Sequence, residues 1–148
     1  MERAPKNLVV DASVAAKWFI PEADSDKAVM LRNRHVEGVL SLMAPDLFIY
    51  EVANALVYHP ELSVEEMIED IKALCMIGVE LVPPSSELVS SIAEKARLAA
   101  VSVYDSSYLT LAEALATNLV TADRRLYDKV KKEGRVFLLD ELGQKWII

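Results

Sequence analysis

A chain of 148 residues has room for one ordinary domain and little room for a second. Hydrophobic residues make up 53% of it and charged residues 26%, a balance that supplies a core and excludes an intrinsically disordered chain. Its one cysteine, Cys75, excludes an intramolecular disulfide, and the apolar sequence around it predicts a buried thiol.

The sequence carries no sign of a membrane or secreted protein. No stretch is long and apolar enough to cross a bilayer, and none has the form of a signal peptide, so we expect a cytoplasmic protein. The formal net charge of −7 argues against nucleic-acid binding, because a polyanion is normally held by a basic surface. A nucleic-acid function therefore requires a local exception to this charge.

Short apolar runs alternate with segments of helical periodicity along the chain. The predicted strands are residues 7–10, 79–82, 119–121 and 136–139. The predicted helices are residues 14–19, 22–36, 46–58, 63–77, 87–99, 105–116 and 124–133. Pro45 is expected to open the third helix, and Ser63 with Glu66 forms a capping-box pattern at the fourth. The alternation predicts an α/β fold with a mainly parallel central sheet of about four to five strands and helices on both faces.

One glutamate falls on a helix face that should be apolar. Glu51 shares its stripe of the third predicted helix with Leu47, Phe48 and Ala55. An unpaired carboxylate buried there would cost on the order of several kcal/mol, so it must be paired, protonated or bound to a cation. For Glu51 alone, a buried salt bridge and a partly exposed groove edge both stay open.

Three aspartates stand at element boundaries. Asp11 and Asp123 follow predicted strands and precede helices, and the carboxyl ends of parallel strands form the ligand-binding edge of such sheets. Asp105 begins a predicted helix, and each aspartate taken singly is better explained as a helix N-cap. Together with Glu51 they could converge on one cleft, where a divalent cation would relieve their repulsion. Oxygen-only ligands favour Mg²⁺ or Mn²⁺ over zinc.

Four stretches of the sequence resemble the PIN-domain family, especially the VapC-type toxin ribonucleases of bacterial and archaeal toxin–antitoxin operons. They are residues 9–18 (VVDASVAAKW), 50–56 (YEVANAL), 103–112 (VYDSSYLTLA) and 119–126 (LVTADRRL). No single stretch is specific, but the four-part pattern follows the family's order over nearly the whole chain. The resemblance implies one PIN domain over residues 1–148.

The resemblance also implies roles for particular residues. The expected catalytic and metal-binding quartet, holding one or two Mg²⁺ or Mn²⁺ ions, is Asp11, Glu51, Asp105 and Asp123. Ser13 and Thr121 are expected to orient the acids or bound water, and Asn54 to supply a further hydrogen bond. Ser106 is a mild departure, because relatives often carry alanine after the third acid.

The implied reaction is endonucleolytic cleavage of single-stranded or looped RNA by metal-activated water. Two divalent cations would offset four of the seven net negative charges. Six of the 16 Lys and Arg residues lie in the segment 124–135, and Arg124 and Arg125 are the expected phosphate contacts beside the acids. An ordinary solvated amphipathic helix explains this basic segment about equally well.

By the same resemblance we expect a homodimer, a VapB-type antitoxin partner and no membrane contact. The expected antitoxin contact is an apolar groove near Trp18, Phe19 and Ile20, with core packing as the alternative. The alternative function is a catalytically silent PIN-like module that binds RNA or protein. An aspartate-nucleophile phosphatase is disfavoured because Ser13 stands where its second aspartate would, and a receiver domain because its paired acid and late lysine are absent.

Overall fold

The computed structural model describes all 148 residues of the chain. Its strands are β1 (Glu2–Arg3), β2 (Asn7–Val10), β3 (Ser41–Pro45), β4 (Glu80–Val82), β5 (Asn118–Thr121), β6 (Val136–Leu138) and β7 (Trp146–Ile147). The central sheet has the order β4-β3-β2-β5-β6, and every pair in it is parallel. A separate parallel pair joins β1 to β7. The predicted α/β fold with a parallel central sheet is confirmed.

Seven α-helices connect and cover these strands. They are α1 (Ala12–Ala15), α2 (Ser25–Val36), α3 (Leu47–Val57), α4 (Val64–Ile77), α5 (Ser86–Ala99), α6 (Val103–Ala114) and α7 (Arg124–Val130). Leu8, Val9 and Val10 of β2 have no exposed surface although their side chains alternate between the two faces of the sheet. Both faces of the central strand are therefore covered. No helix is long and apolar enough to span a membrane.

Helix α6 is the most buried helix of the fold. All residues from 106 to 112 are buried, and α6 packs on β2, β3, β5 and α5. Its polar positions are satisfied internally, because Ser106 Oγ donates to the Ile92 carbonyl of α5 at 2.7 Å and lies 3.2 Å from Thr110 Oγ1. A helix that is buried on nearly all sides needs such pairing. Ser106 therefore has a structural role in joining α6 to α5.

The prediction for Pro45 is wrong. Pro45 is the last residue of β3, a strand that the sequence analysis did not predict, and it pairs with Val82 of β4. The segment Ser41–Pro45 has no β-branched residue, and proline normally argues against a strand. At the end of the strand the missing N–H costs little, and the flanking strands bury the segment.

The prediction of a buried thiol at Cys75 is also wrong. Cys75 is exposed, because α4 turns only Leu74 of its last apolar run fully into the core. Trp18 and Ile20 are buried, and the Trp18 indole donates to the Ala28 carbonyl at 2.9 Å. Core packing, the alternative interpretation of this segment, therefore accounts for Trp18 and Ile20, while Phe19 is half-buried.

Candidate active site

The carboxyl ends of β2 and β5 lie side by side and carry a network of four polar residues. Asp11, which is 7% exposed, follows β2, and its Oδ2 accepts hydrogen bonds from Ser13 Oγ at 2.6 Å and Thr121 Oγ1 at 2.7 Å. Thr121 Oγ1 also accepts from the Asp123 backbone N–H, and Ser13 Oγ from that of Ala122, both at 3.0 Å. The two hydroxyls therefore fix the Asp11 carboxylate and join the two strand ends.

Only one of the three aspartates caps a helix with its side chain. Asp123 is the N-cap of α7, where its Oδ1 accepts from the backbone N–H groups of Arg125 and Leu126 at 3.0 and 3.3 Å. Asp11 makes no such bond to α1. The N-cap of α6 is Ser102, whose Oγ accepts from the Asp105 backbone N–H at 3.0 Å. Asp11 is thus the N-cap of α1 by position but not by side-chain hydrogen bonding, and the cap interpretation is wrong for Asp105 because α6 begins two residues before its predicted start.

Glu51 is half-buried on α3 and is held by a tyrosine of α6. The Tyr108 hydroxyl donates to Glu51 Oε1 at 2.6 Å, and the Tyr108 ring is buried. Tyr108 received no role of its own in the sequence analysis. A signal was present, because a tyrosine on a buried stripe needs a partner for its hydroxyl.

The four acids form one electrostatic cluster. Burial raises the pKa of Asp11, and the charges of Asp105 and Asp123 raise it further against the hydrogen bonds from Ser13 and Thr121. Burial is also the main cause of the raised pKa of Glu51, followed by an opposing hydrogen bond from Tyr108 and by repulsion from Asp11 and Asp105.

Asp105 completes this cluster. Burial and the charge of Asp123 raise its pKa, while Lys129, the hydrogen bond with Ser102 and Arg125 oppose them. Each carboxylate of the quartet therefore raises the pKa of at least two of the others or has its own pKa raised by them.

The donor chemistry of this cluster fits a hard divalent cation. Asp11, Glu51 and Asp123 each use one carboxylate oxygen in the hydrogen bonds above and leave the other without a protein donor. As the side chains stand, no group of three or more His, Cys, Asp or Glu residues is arranged to hold a metal ion directly. Mg²⁺ keeps several waters and needs only one or two direct carboxylates, so the donor set fits a hydrated ion better than a dehydrated one.

The structure separates the two arginines that were expected to bind phosphate. Arg124 pairs with Asp140 at 3.1 Å, at the entrance to another polar cleft. Arg125 lies near enough to Asp105 to lower its pKa, and Lys129 does so more strongly. Arg125 and Lys129 are four residues apart on α7 and so share one face of that helix. This four-residue spacing is the sequence signal that could have identified Lys129, in place of Arg124, as the basic residue that accompanies Arg125 beside Asp105.

An open cavity borders Glu51 on α3. Its lining residues are Leu47, Tyr50, Glu51, Asn54 and Tyr104. Asn54 is exposed there and makes no side-chain hydrogen bond to an acid, so the structure does not bring it into the carboxylate network. An apolar groove adjoins this cavity and shares Leu47, Tyr50 and Tyr104 with it.

Comparisons with known proteins agree with this architecture. The model of the PIN domain matches residues 8–132. Ribonuclease VapC3 of Pyrobaculum aerophilum is 35% identical over 132 residues, which are 82% of this chain and 93% of that protein.

Solved structures share the fold. PAE2754 from Pyrobaculum aerophilum superposes with a TM-score of 0.66 at 24% identity, over 90% of this chain and 84% of its own. FitAB bound to an IR36 DNA fragment gives a TM-score of 0.67 at 13% identity, over 89% of this chain and 94% of its own. The family match and the relative at 35% identity together show that this chain belongs to the PIN-domain family.

Proposed function

We propose that this protein is an endoribonuclease of the VapC type that depends on Mg²⁺ or Mn²⁺. The observation that carries the proposal is the acidic cluster, in which burial and mutual repulsion raise the pKa of Asp11, Glu51 and Asp105. A fold has no structural need for such a cluster, and a divalent cation is what stabilises it. The relative named Ribonuclease VapC3 supports RNA as the substrate.

The four acids would hold one or two ions. Ser13 and Thr121 occupy Oδ2 of Asp11, so that Oδ1 is left to act as a ligand. Tyr108 plays the same part for Glu51 by occupying Oε1. When bound, the ion supplies Lewis-acid activation of water and neutralises charge at the scissile phosphate.

The remaining residues position the substrate. Arg125 and Lys129 place positive charge beside Asp105, where a phosphate approaching the acids would otherwise be repelled. In the proposed hydrolysis the water oxygen attacks phosphorus, the bond from phosphorus to the leaving oxygen breaks, and that oxygen takes up a proton. This local pair of cations answers the objection raised by the net charge of −7.

The proposed biological role is that of the toxin in a toxin–antitoxin pair in the cytoplasm. It rests on the resemblance to VapC-type ribonucleases, and the name of the relative at 35% identity strengthens it. A VapB-type antitoxin and a homodimer belong to the same proposal.

A cleavage assay on end-labelled structured RNA tests the proposal. The parent chain should cleave with Mg²⁺ or Mn²⁺ and stop with EDTA, and Asp11→Asn and Asp105→Asn should each slow cleavage by about a hundredfold or more. Asp26→Asn, an exposed acid in the first turn of α2, is the matched control and should cleave like the parent. Cleavage that survives EDTA and both site substitutions would overturn the mechanism. Folded parent protein that never cleaves would favour the catalytically silent module.

A further inference from the structure

Two exposed tyrosines stand directly before two of the acids. Tyr50 precedes Glu51 on α3 and is 78% exposed, and Tyr104 precedes Asp105 on α6 and is 64% exposed. Neither position has a role in the carboxylate network. Large aromatic side chains with this much exposed surface, beside a polar cleft, are a signature of a binding surface.

Both tyrosines line the open cavity at Glu51 and the apolar groove that adjoins it. The three aromatic pairs of the chain lie elsewhere, at Trp18–Phe19, Trp18–Phe48 and Phe137–Trp146. The rings of Tyr50 and Tyr104 therefore have no aromatic partner within the protein. Apolar neighbours such as Val82 and Leu88 continue the wall of the groove away from the acids.

The ligand that suits this arrangement has a phosphate and a flat apolar group attached to it. The acids with their ion would take the phosphate, with Arg125 and Lys129 beside Asp105. The tyrosines and the groove offer a stacking surface next to it. A nucleotide with an unpaired base has both parts, whereas a base within a duplex has its faces covered by its neighbours.

We propose that Tyr50 and Tyr104 stack on unpaired bases that flank the scissile phosphate and thereby favour a single strand over a continuous duplex. This inference rests on the proposed nuclease function for the position of the phosphate. The stacking itself is a binding property and is measured without cleavage. Stacking on an aromatic ring accepts any base, so these residues select for strandedness and not for sequence.

The experiment measures fluorescence anisotropy of a labelled 12-nucleotide single strand and of its duplex in the Asp11→Asn background with Mg²⁺. Tyr50→Ala and Tyr104→Ala should each weaken binding of the single strand by about five- to a hundredfold. Tyr50→Phe and Tyr104→Phe should bind like the parent, because the ring remains. Tyr58→Ala is the matched control, since Tyr58 is also 78% exposed, follows α3 and lines neither cavity. Duplex binding should be weaker and unchanged by all of these substitutions.

Two results would overturn the inference. One is single-strand affinity that is unchanged in the alanine variants, or lowered equally by alanine and phenylalanine. The other is a dimer that analytical ultracentrifugation shows to dissociate in the alanine variants, with RNA affinity falling only in proportion to the loss of dimer. That result would make this face a contact between protein chains. Cleavage by an otherwise unmodified Tyr104→Ala chain at the parent rate would add to the case against stacking and leave the nuclease intact. Tyrosine-dependent binding by a parent that never cleaves would keep the stacking and reject the nuclease.

Discussion

The acidic cluster has two sides that are built differently. On the strand side, Asp11 and Asp123 follow β2 and β5, and Ser13, Thr121 and backbone N–H groups hold them by hydrogen bonds. On the helix side, Glu51 and Asp105 project from α3 and α6, and their side-chain partners are Tyr108 and Ser102, respectively. The strand side therefore contributes to folding and to function together, whereas the helix side can be altered with little effect on folding.

Among substitutions of the residues that support the acids, Thr121→Val should have the largest effect on both the stability of the fold and the rate of cleavage. It removes the donor to Asp11 and the acceptor for the Asp123 N–H at a fully buried position, so we expect a loss of about 2 kcal/mol in the free energy of unfolding. Cleavage should also fall by about ten- to a hundredfold, since Asp11 keeps only its hydrogen bond from Ser13.

Thr110→Val is the matched control for that substitution. Thr110 is also a buried threonine, but its hydroxyl meets Ser106 inside α6, away from the acids. Urea unfolding and cleavage rates should show a stability loss in both variants and a loss of cleavage only in Thr121→Val. Equal cleavage in both would contradict the division between the two sides.

Tyr108→Phe tests the hydrogen bond that holds Glu51 on the helix side. Because Glu51 is half-buried, water can replace the lost hydrogen bond to its carboxylate. The expected destabilisation is therefore smaller, about 1 kcal/mol. That hydrogen bond lowers the pKa of Glu51, so its removal should raise the pKa and move the acidic limb of the pH–rate profile to higher pH. A profile that stays in place, with Tyr127→Phe as reference, would show that Glu51 does not need to be ionised.

Arg125→Ala and Lys129→Ala should weaken RNA binding, and Arg124→Ala should not. The first two side chains lie near Asp105, whereas Arg124 is paired with Asp140. Each of the first two substitutions should reduce the slope of log Kd against log salt by about one phosphate contact. If all three substitutions changed the salt dependence of RNA binding equally, any positive charge on α7 would contribute and the position near Asp105 would not matter.

The smallest expected effect is a gain in stability for metal-free Asp105→Asn. The pKa of Asp105 is raised in the folded state, so the ionised group disfavours folding once the pH exceeds its unfolded value, near 3.8. The gain of the variant over the parent should be absent below that pH and grow as the pH rises through the folded-state pKa. Thermal unfolding in EDTA at acidic and neutral pH measures it, and a variant that is less stable at neutral pH would contradict the proposed repulsion.

Local sequence rules predicted much of the fold. The capping box of Ser63 and Glu66 and the buried strand β2 both follow from such rules. Strand β3 was missed because its burial between β2 and β4 outweighs the weak strand preference of its residues and Pro45.

The site was predictable in its acids and less so in their supports. The structure brings Asp11, Glu51, Asp105 and Asp123 together, and their catalytic roles stay a prediction. Tyr108 was missed because its contact with Glu51 joins residues 57 positions apart. The pairing of Arg124 with Asp140 was also missed, because no local sequence pattern connects Asp140 to α7.

Isothermal titration of Mn²⁺ into the metal-free protein tests the central claim that the four carboxylates form a cation site. The parent and Asp26→Asn should bind one or two ions saturably, while Asp11→Asn and Asp105→Asn should each lose affinity by at least about tenfold. Equal Mn²⁺ binding by all four proteins, or no binding by the folded parent, would contradict the claim.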